Sequence, residues 1–186
     1  MTTETTYYEE NFSDNLDAGW TWLREHPEAW CIRDNALEIR VEPGVAETVR
    51  NALVRMAPDR NKGSFAIEVT VSNYTYPTQQ YEQAGITWYN GGKPVFKLVK
   101  ELIDGGLYII PGRPSMETKS VRLRLVVTAN TWEALYRPEG ETAFLSAATG
   151  ELPAPNDDQV SLQCYQGPPD QEHWIRFESF CIKQVS

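Results

Sequence analysis

Trp20, Trp22, Trp30, Trp88, Trp132 and Trp174, together with nine tyrosines, are the residues whose chemistry stands out in this 186-residue chain. Indole and phenol rings present flat π-faces on which the C–H side of a sugar ring can stack. Amide and charged side chains beside them can serve the sugar's hydroxyls. Such a site needs both residue types on one surface, and alternation along an extended chain says which side chains can share it. If Ala84, Ile86 and Trp88 face inward, Gln83, Thr87 and Tyr89 face outward. If Phe96 and Leu98 face inward, Lys97 and Glu101 face outward, and Gln163 and Tyr165 likewise oppose Leu162 and Cys164. Arg176 opposes Ile175 and Phe177. The expected ligand-binding set is therefore Gln83, Tyr89, Lys97, Glu101, Gln163, Tyr165 and Arg176, with His173 on one rim. For any single Trp, core packing competes with this role.

Other chemistries find less support. Glycoside hydrolysis needs two carboxyl groups flanking the scissile bond. Glu101 and Asp104, three apart, would point to opposite faces of a strand, and Glu68, Glu101 and Glu178 stand one to a strand. The two histidines, His26 and His173, accompany no nucleophile-elbow motif. Five Cys and His residues scattered over the chain do not form a zinc spacing. Asp14, Asn15 and Asp17, or Asn156, Asp157 and Asp158, offer oxygen ligands for calcium, but Asp and Asn are also ordinary loop residues. Gly91-Gly92-Lys93 lacks the spacing of a phosphate loop and reads as a hairpin turn. No catalytic set, metal site or cofactor is expected.

The elements that must carry these residues are strands. Leu37, Ile39 and Val41 alternate with Glu38, Arg40 and Glu42. Phe65, Ile67, Val69 and Val71 form a clean period-two row, as do Val121, Leu123, Leu125 and Val127. Gln83 to Tyr89, Trp132 to Arg137, Val160 to Tyr165 and Trp174 to Ile182 continue the series. Val95 to Ile103 fits helical and strand spacing alike and is read as a strand, because a helix there would interrupt the meander. Short helical turns are expected near Asp17 to Leu23 and around Pro27, and an exposed loop at Pro153 to Asp158. Arg122 and Arg124 read as a solvated stripe. With eight or more strands and no helical partners, apolar faces can be buried only sheet on sheet. The predicted fold is all-β: a two-sheet antiparallel β-sandwich, or jelly roll, formed by residues 1–186 as a single domain.

The formal net charge of −9 disfavours nucleic acid and anionic lipid, which draw affinity from clustered Lys and Arg. No run approaches the roughly 20 apolar residues of a membrane-spanning helix. Met1 to Glu10 lacks the basic start and apolar run of a secretory signal, so a cytoplasmic location is expected. Cys31, Cys164 and Cys181 are an odd set and read as reduced thiols.

Four stretches carry a family resemblance: Asn11-Phe12-Ser13-Asp14 through Gly19-Trp20-Thr21-Trp22; Gln83-Ala84-Gly85-Ile86 with Tyr89; Val121-Arg122-Leu123-Arg124 through Trp132, Tyr136 and Pro138-Glu139-Gly140-Glu141; and Ile175-Arg176-Phe177-Glu178-Ser179-Phe180. Together they resemble an uncharacterised domain family of the concanavalin-A-like lectin and glucanase superfamily, the family that includes the regulation-of-enolase protein. They are also similar to the C-terminal β-sandwich of family 43 β-xylosidases. The resemblance implies a jelly roll with one concave sheet face, on which members of the superfamily bind or cleave glycans. The glucanases' Glu-x-Asp-x-x-Glu strand has no counterpart here. The leading expectation is a non-enzymatic carbohydrate-binding or metabolic regulatory domain whose partner is a glycan or small-molecule sugar. The alternatives are a glycoside hydrolase or lyase with an unrecognised carboxylate pair, and a protein–protein regulator of a metabolic enzyme.

Overall fold

The computed structural model describes residues 4–185. Among them are fourteen strands in chain order: β1 (Thr5–Glu10), β2 (Thr21–Leu23), β3 (Trp30–Arg33), β4 (Ala36–Arg40), β5 (Ala52–Met56), β6 (Phe65–Asn73), β7 (Gln83–Asn90), β8 (Lys93–Ile103), β9 (Gly106–Ile110), β10 (Ser120–Val127), β11 (Thr131–Pro138), β12 (Leu145–Glu151), β13 (Gln159–Tyr165) and β14 (Trp174–Gln184). One 3₁₀ turn, Pro27–Ala29, precedes β3. No described helix is long and apolar enough to cross a membrane.

The strands form two antiparallel sheets. The larger runs β12-β11-β10-β6-β14-β4-β3, and β1 also pairs with β14; the smaller runs β2-β5-β13-β7-β8-β9. Strand β14 organises the larger sheet. Along one edge it pairs with β6, and along the other its first half pairs with β4 and its second half with β1. A bulge between Glu178 and Cys181 re-aims the chain between the two halves.

The apolar rows legible in the sequence meet directly. Phe65, Ile67, Val69 and Val71 of β6 stand opposite Val127, Leu125, Leu123 and Val121 of β10. Ala84, Ile86 and Trp88 of β7 and Val160, Leu162 and Cys164 of β13 face them from the smaller sheet, and all are buried in one core. Val95 to Ile103 is extended, as expected, within the eleven-residue β8. Gly91 and Gly92, with φ of 58° and 75°, make the two-residue turn that joins it to β7.

Two expectations are corrected. Thr21–Leu23 is a strand, not a helical turn, because it pairs with the edge of β5, and Trp22 packs on Trp30 with ring centroids 4.7 Å apart. Arg122 and Arg124 are not a solvated stripe. Both pair with the buried Glu68 across β6, and Lys183 adds a third cation at 3.3 Å. The Pro153 to Asp158 loop is exposed as expected from Pro153 to Asp157, and only its last residue, Asp158, is buried against Arg60.

Candidate functional site

Strand register brings six of the eight predicted ligand-binding residues onto one surface, the outward face of the smaller sheet. Across β7 and β8, Gln83 stands opposite Glu101 and Thr87 opposite Lys97. Across β7 and β13, Tyr165 stands opposite Gln83, and Gln163 opposite Gly85. Tyr89 lies further along β7 on the same face. Gly85 lets β7 pack closely against β8 and the core: a Cβ there would lie 2.3 Å from the Leu98 carbonyl oxygen and 2.9 Å from Leu123 Cδ1.

Arg176 and His173 are placed elsewhere. Arg176 belongs to β14 in the larger sheet, where it pairs with Glu178 at 3.0 Å and Glu38 at 3.4 Å. Alternation assigned it correctly to the side opposite Ile175 and Phe177, but period two says nothing about which sheet a strand joins. His173 is buried just before β14 with Nδ1 2.7 Å from Glu82 Oε1, and its carbonyl accepts a hydrogen bond from Val41 N. It closes the end of the strands and lines no outward face.

Five of the six remaining residues form two clusters, and Tyr165, opposite Gln83, belongs to neither. In the first, Lys97 Nζ donates to Gln83 Oε1 at 2.7 Å and to Glu101 Oε2 at 2.9 Å, while Gln83 Nε2 donates to Glu101 Oε1 at 3.2 Å. Both oxygens of Glu101 are thus occupied. In the second, Ser161 Oγ donates to Gln163 Oε1 at 2.9 Å, and the Tyr89 hydroxyl lies 3.0 Å from the same oxygen and 3.1 Å from the Ala46 carbonyl. Burial pushes the phenols of Tyr89 and Tyr165 up, and the Glu101 charge adds to the effect at Tyr165.

Burial of this polar face comes from a roof. Residues 43–51 cross it: Val45 O accepts from Thr48 N and Val49 N, Gly44 O accepts from Gln166 N, and Arg24 Nε donates to Val49 O at 2.6 Å. The Pro43-Gly44 break marked the end of a strand in the sequence, but nothing in its spacing showed where the following loop would lie. Between roof and sheet is a cavity of about 200 Å³ lined by Thr87, Phe96, Lys97 and Tyr165 from below and Ala46 and Glu47 from above.

Two polar atoms on this face have no hydrogen-bond partner among the described residues, Thr87 Oγ1 and Gln163 Nε2. The residues carrying them are 1% and 0% exposed. A buried, unpaired polar group costs about 1–3 kcal/mol, so each of these atoms calls for a partner that the described residues do not supply. Thr87, Ser161 and the roof residues Ala46 and Glu47 were not among the predicted ligand-binding residues. Thr87 was legible as outward-facing, and the others depend on long-range pairing. Among the described residues, no group of three or more His, Cys, Asp or Glu could hold a metal ion.

No protein-family model matches this chain, and no curated protein matches it by sequence. Among solved structures, it is similar to the Bacteroides ovatus xyloglucan-PUL protein GH43B, with a TM-score of 0.76 at 13% identity over 95% of this chain and 39% of that one. It is also similar to the xylan β-1,4-xylosidase of Bacillus halodurans, with a TM-score of 0.70 at 16% identity over 95% of this chain and 39% of that one. The CBM2 module of the evolved Dit of Lactobacillus casei BL23 phage J-1 gives a TM-score of 0.62 at 9% identity over 99% of this chain and 97% of that one. The likeness is one of fold. It supports the two-sheet antiparallel β-sandwich alone, and the chain spans about two fifths of the length of the GH43 structures.

Proposed function

We propose that this sandwich is a non-enzymatic carbohydrate-binding module that holds a single sugar ring between the outward face of β7, β8 and β13 and the roof formed by residues 43–51. The observation that carries the reading is the unpartnered buried hydroxyl of Thr87, which lines the roofed cavity beside Tyr165 and Phe96. A hydroxyl-bearing ring can pair with that oxygen while its C–H face lies against an aromatic ring. The cavity of about 200 Å³ lies below the roughly 300–1,000 Å³ of drug-sized pockets, which suits one ring rather than a chain. The names of the similar structures, a xyloglucan-locus GH43 protein, a xylosidase and a carbohydrate-binding module, agree with a role among saccharides. Hydrolysis is the weaker reading, because both oxygens of Glu101 are taken up by Lys97 and Gln83.

A thermal-shift screen against monosaccharides tests the proposal, since a ligand that binds only the folded chain raises Tm. Thr87→Val removes the hydroxyl and keeps the shape. The expected variant melts no lower than the wild type and loses the saccharide response. A variant that keeps the full response rules this pocket out.

A further inference from the structure

A second site lies where β6 ends. Asn73, its last residue, is 8% exposed, and its side-chain carbonyl Oδ1 has no hydrogen-bond partner among the described residues. The chain then turns outward through Tyr74 and Tyr76, which are 46% and 56% exposed. Tyr74 is exposed but held in place: its hydroxyl donates to Glu38 Oε1 at 2.5 Å and its backbone N–H to Trp174 O at 3.2 Å. The Lys119 amine lies 5.8 Å over the ring centroid, and a ring so fixed loses little entropy when a ligand stacks on its exposed part, unlike a mobile surface tyrosine.

Cavities open on both sides of this ring, and Asn73 and Tyr74 line both. One of about 220 Å³ extends toward Glu139, Arg176 and Glu178; the other, of about 230 Å³, extends toward Tyr76, Lys100 and Thr118. In the second, the buried Lys100 amine donates to the carbonyls of Lys119 at 2.7 Å and Thr118 at 3.4 Å. Acidic and basic side chains are mixed along the trough, which favours no net charge in the occupant. Aromatic faces and an orphan acceptor in two adjoining hollows match the C–H faces and hydroxyls of consecutive sugar rings.

We infer that the two cavities flanking Tyr74 form a second saccharide site, which takes a neutral oligosaccharide across the Tyr74 and Tyr76 rings with Asn73 Oδ1 accepting a hydroxyl between them. The site is independent of the roofed pocket and differs from it in requiring more than one ring.

The test is titration of the purified chain with matched monosaccharides and oligosaccharides selected from a printed array of defined neutral glycans. Tyr74→Ala, Tyr74→Phe, Tyr76→Ala and Thr87→Val are compared with the wild type. The expected result is oligosaccharide binding at least about tenfold tighter than that of the component monosaccharide, weakened about tenfold or more by Tyr74→Ala and Tyr76→Ala. Tyr74→Phe keeps the ring and retains binding, and Thr87→Val leaves it unchanged. Tyr74→Phe also separates stacking from folding, because it removes the bond to Glu38 without removing the π-face. Oligosaccharide binding untouched by Tyr74→Ala, or lost equally in Tyr74→Phe, overturns the site, as does an array with no bound glycan. Oligosaccharide binding lost in Thr87→Val but not in Tyr74→Ala overturns it; binding weakened by Tyr74→Ala and Tyr76→Ala but not by Thr87→Val supports it, and the roofed pocket is judged separately by the monosaccharide response of Thr87→Val.

Discussion

Arg60 Nε donates to Asp158 Oδ2 at 2.7 Å with the two side chains 1% and 8% exposed. The same guanidinium donates to Ala129 O at 2.6 Å and to Pro153 O, and Asn90 Nδ2 reaches Asp158 Oδ1 at 2.8 Å. One buried cation thereby ties the loop before β6 to the loops that precede β11 and β13. Each donor has a defined acceptor, which is what makes a buried charge tolerable.

Arg60→Ala should therefore destabilise the fold by about 3–5 kcal/mol, because it leaves the Asp158 carboxylate buried without its counter-ion and two carbonyls without donors. Arg60→Met combined with Asp158→Asn should recover part of that loss, since no unpaired charge remains. Urea unfolding measures both. A single-variant loss within about 0.5 kcal/mol of zero would show that the pair contributes nothing.

Gly85→Ala places a methyl group 2.3 Å from Leu98 O and 2.9 Å from Leu123 Cδ1. The first of these is backbone of the neighbouring strand and cannot swing away. A loss of about 1–3 kcal/mol is expected, with the β7–β8 register strained beneath the roofed pocket. An unchanged urea midpoint would show that the sheet gives way without cost.

Lys100 supplies a pH test. Burial drives its amine down to about 7 from an ordinary value of 10.5. Because the folded-state value is the lower one, the unfolded chain binds more protons between those limits, and stability rises with pH across them. Relative to Lys100→Met, the wild type should lose on the order of a few kcal/mol as pH falls from about 10 to about 7, with little further change below. Paired urea titrations across that range measure the difference. A wild type whose stability relative to Lys100→Met falls as pH rises would contradict the assignment.

Glu68 predicts the acid limb. Burial alone would raise its carboxyl, but the charge and hydrogen bond of Arg122, together with Lys183 and Arg124, hold it below the ordinary carboxylate value. Its contribution is present above about pH 4.3, the unfolded value, and disappears as pH falls through the lowered folded value. Glu68→Gln should cost on the order of 3 kcal/mol at neutral pH, since three cations lose their common partner. That gap should close in acid, where the wild-type carboxyl is also neutral. A gap independent of pH would exclude the ionic explanation.

How much was legible in advance depends on the range of the interaction. Residues 65–71 and 121–127 announced themselves as strands because alternation is a property of the backbone of each residue, whatever lies across the sheet. The same rule put Gln83, Tyr89, Lys97, Glu101, Gln163 and Tyr165 on outward faces before any pairing was known. It failed for Arg176, whose outward direction was right and whose sheet was not. It also could not foresee β2, whose three residues become a strand only beside β5.

The sequence by itself determined the class of fold and the side of each long strand on which a residue stands, because φ and ψ fix that direction locally. Only the tertiary structure decided that β7, β8 and β13 are neighbours, that residues 43–51 lie across them, and that Asn73 and Tyr74 stand between two hollows. Those facts depend on contacts between segments far apart in the chain, such as Gln83 with Tyr165 and Gly44 with Gln166. No periodicity encodes such contacts, because they are set by the packing free energy of all strands at once.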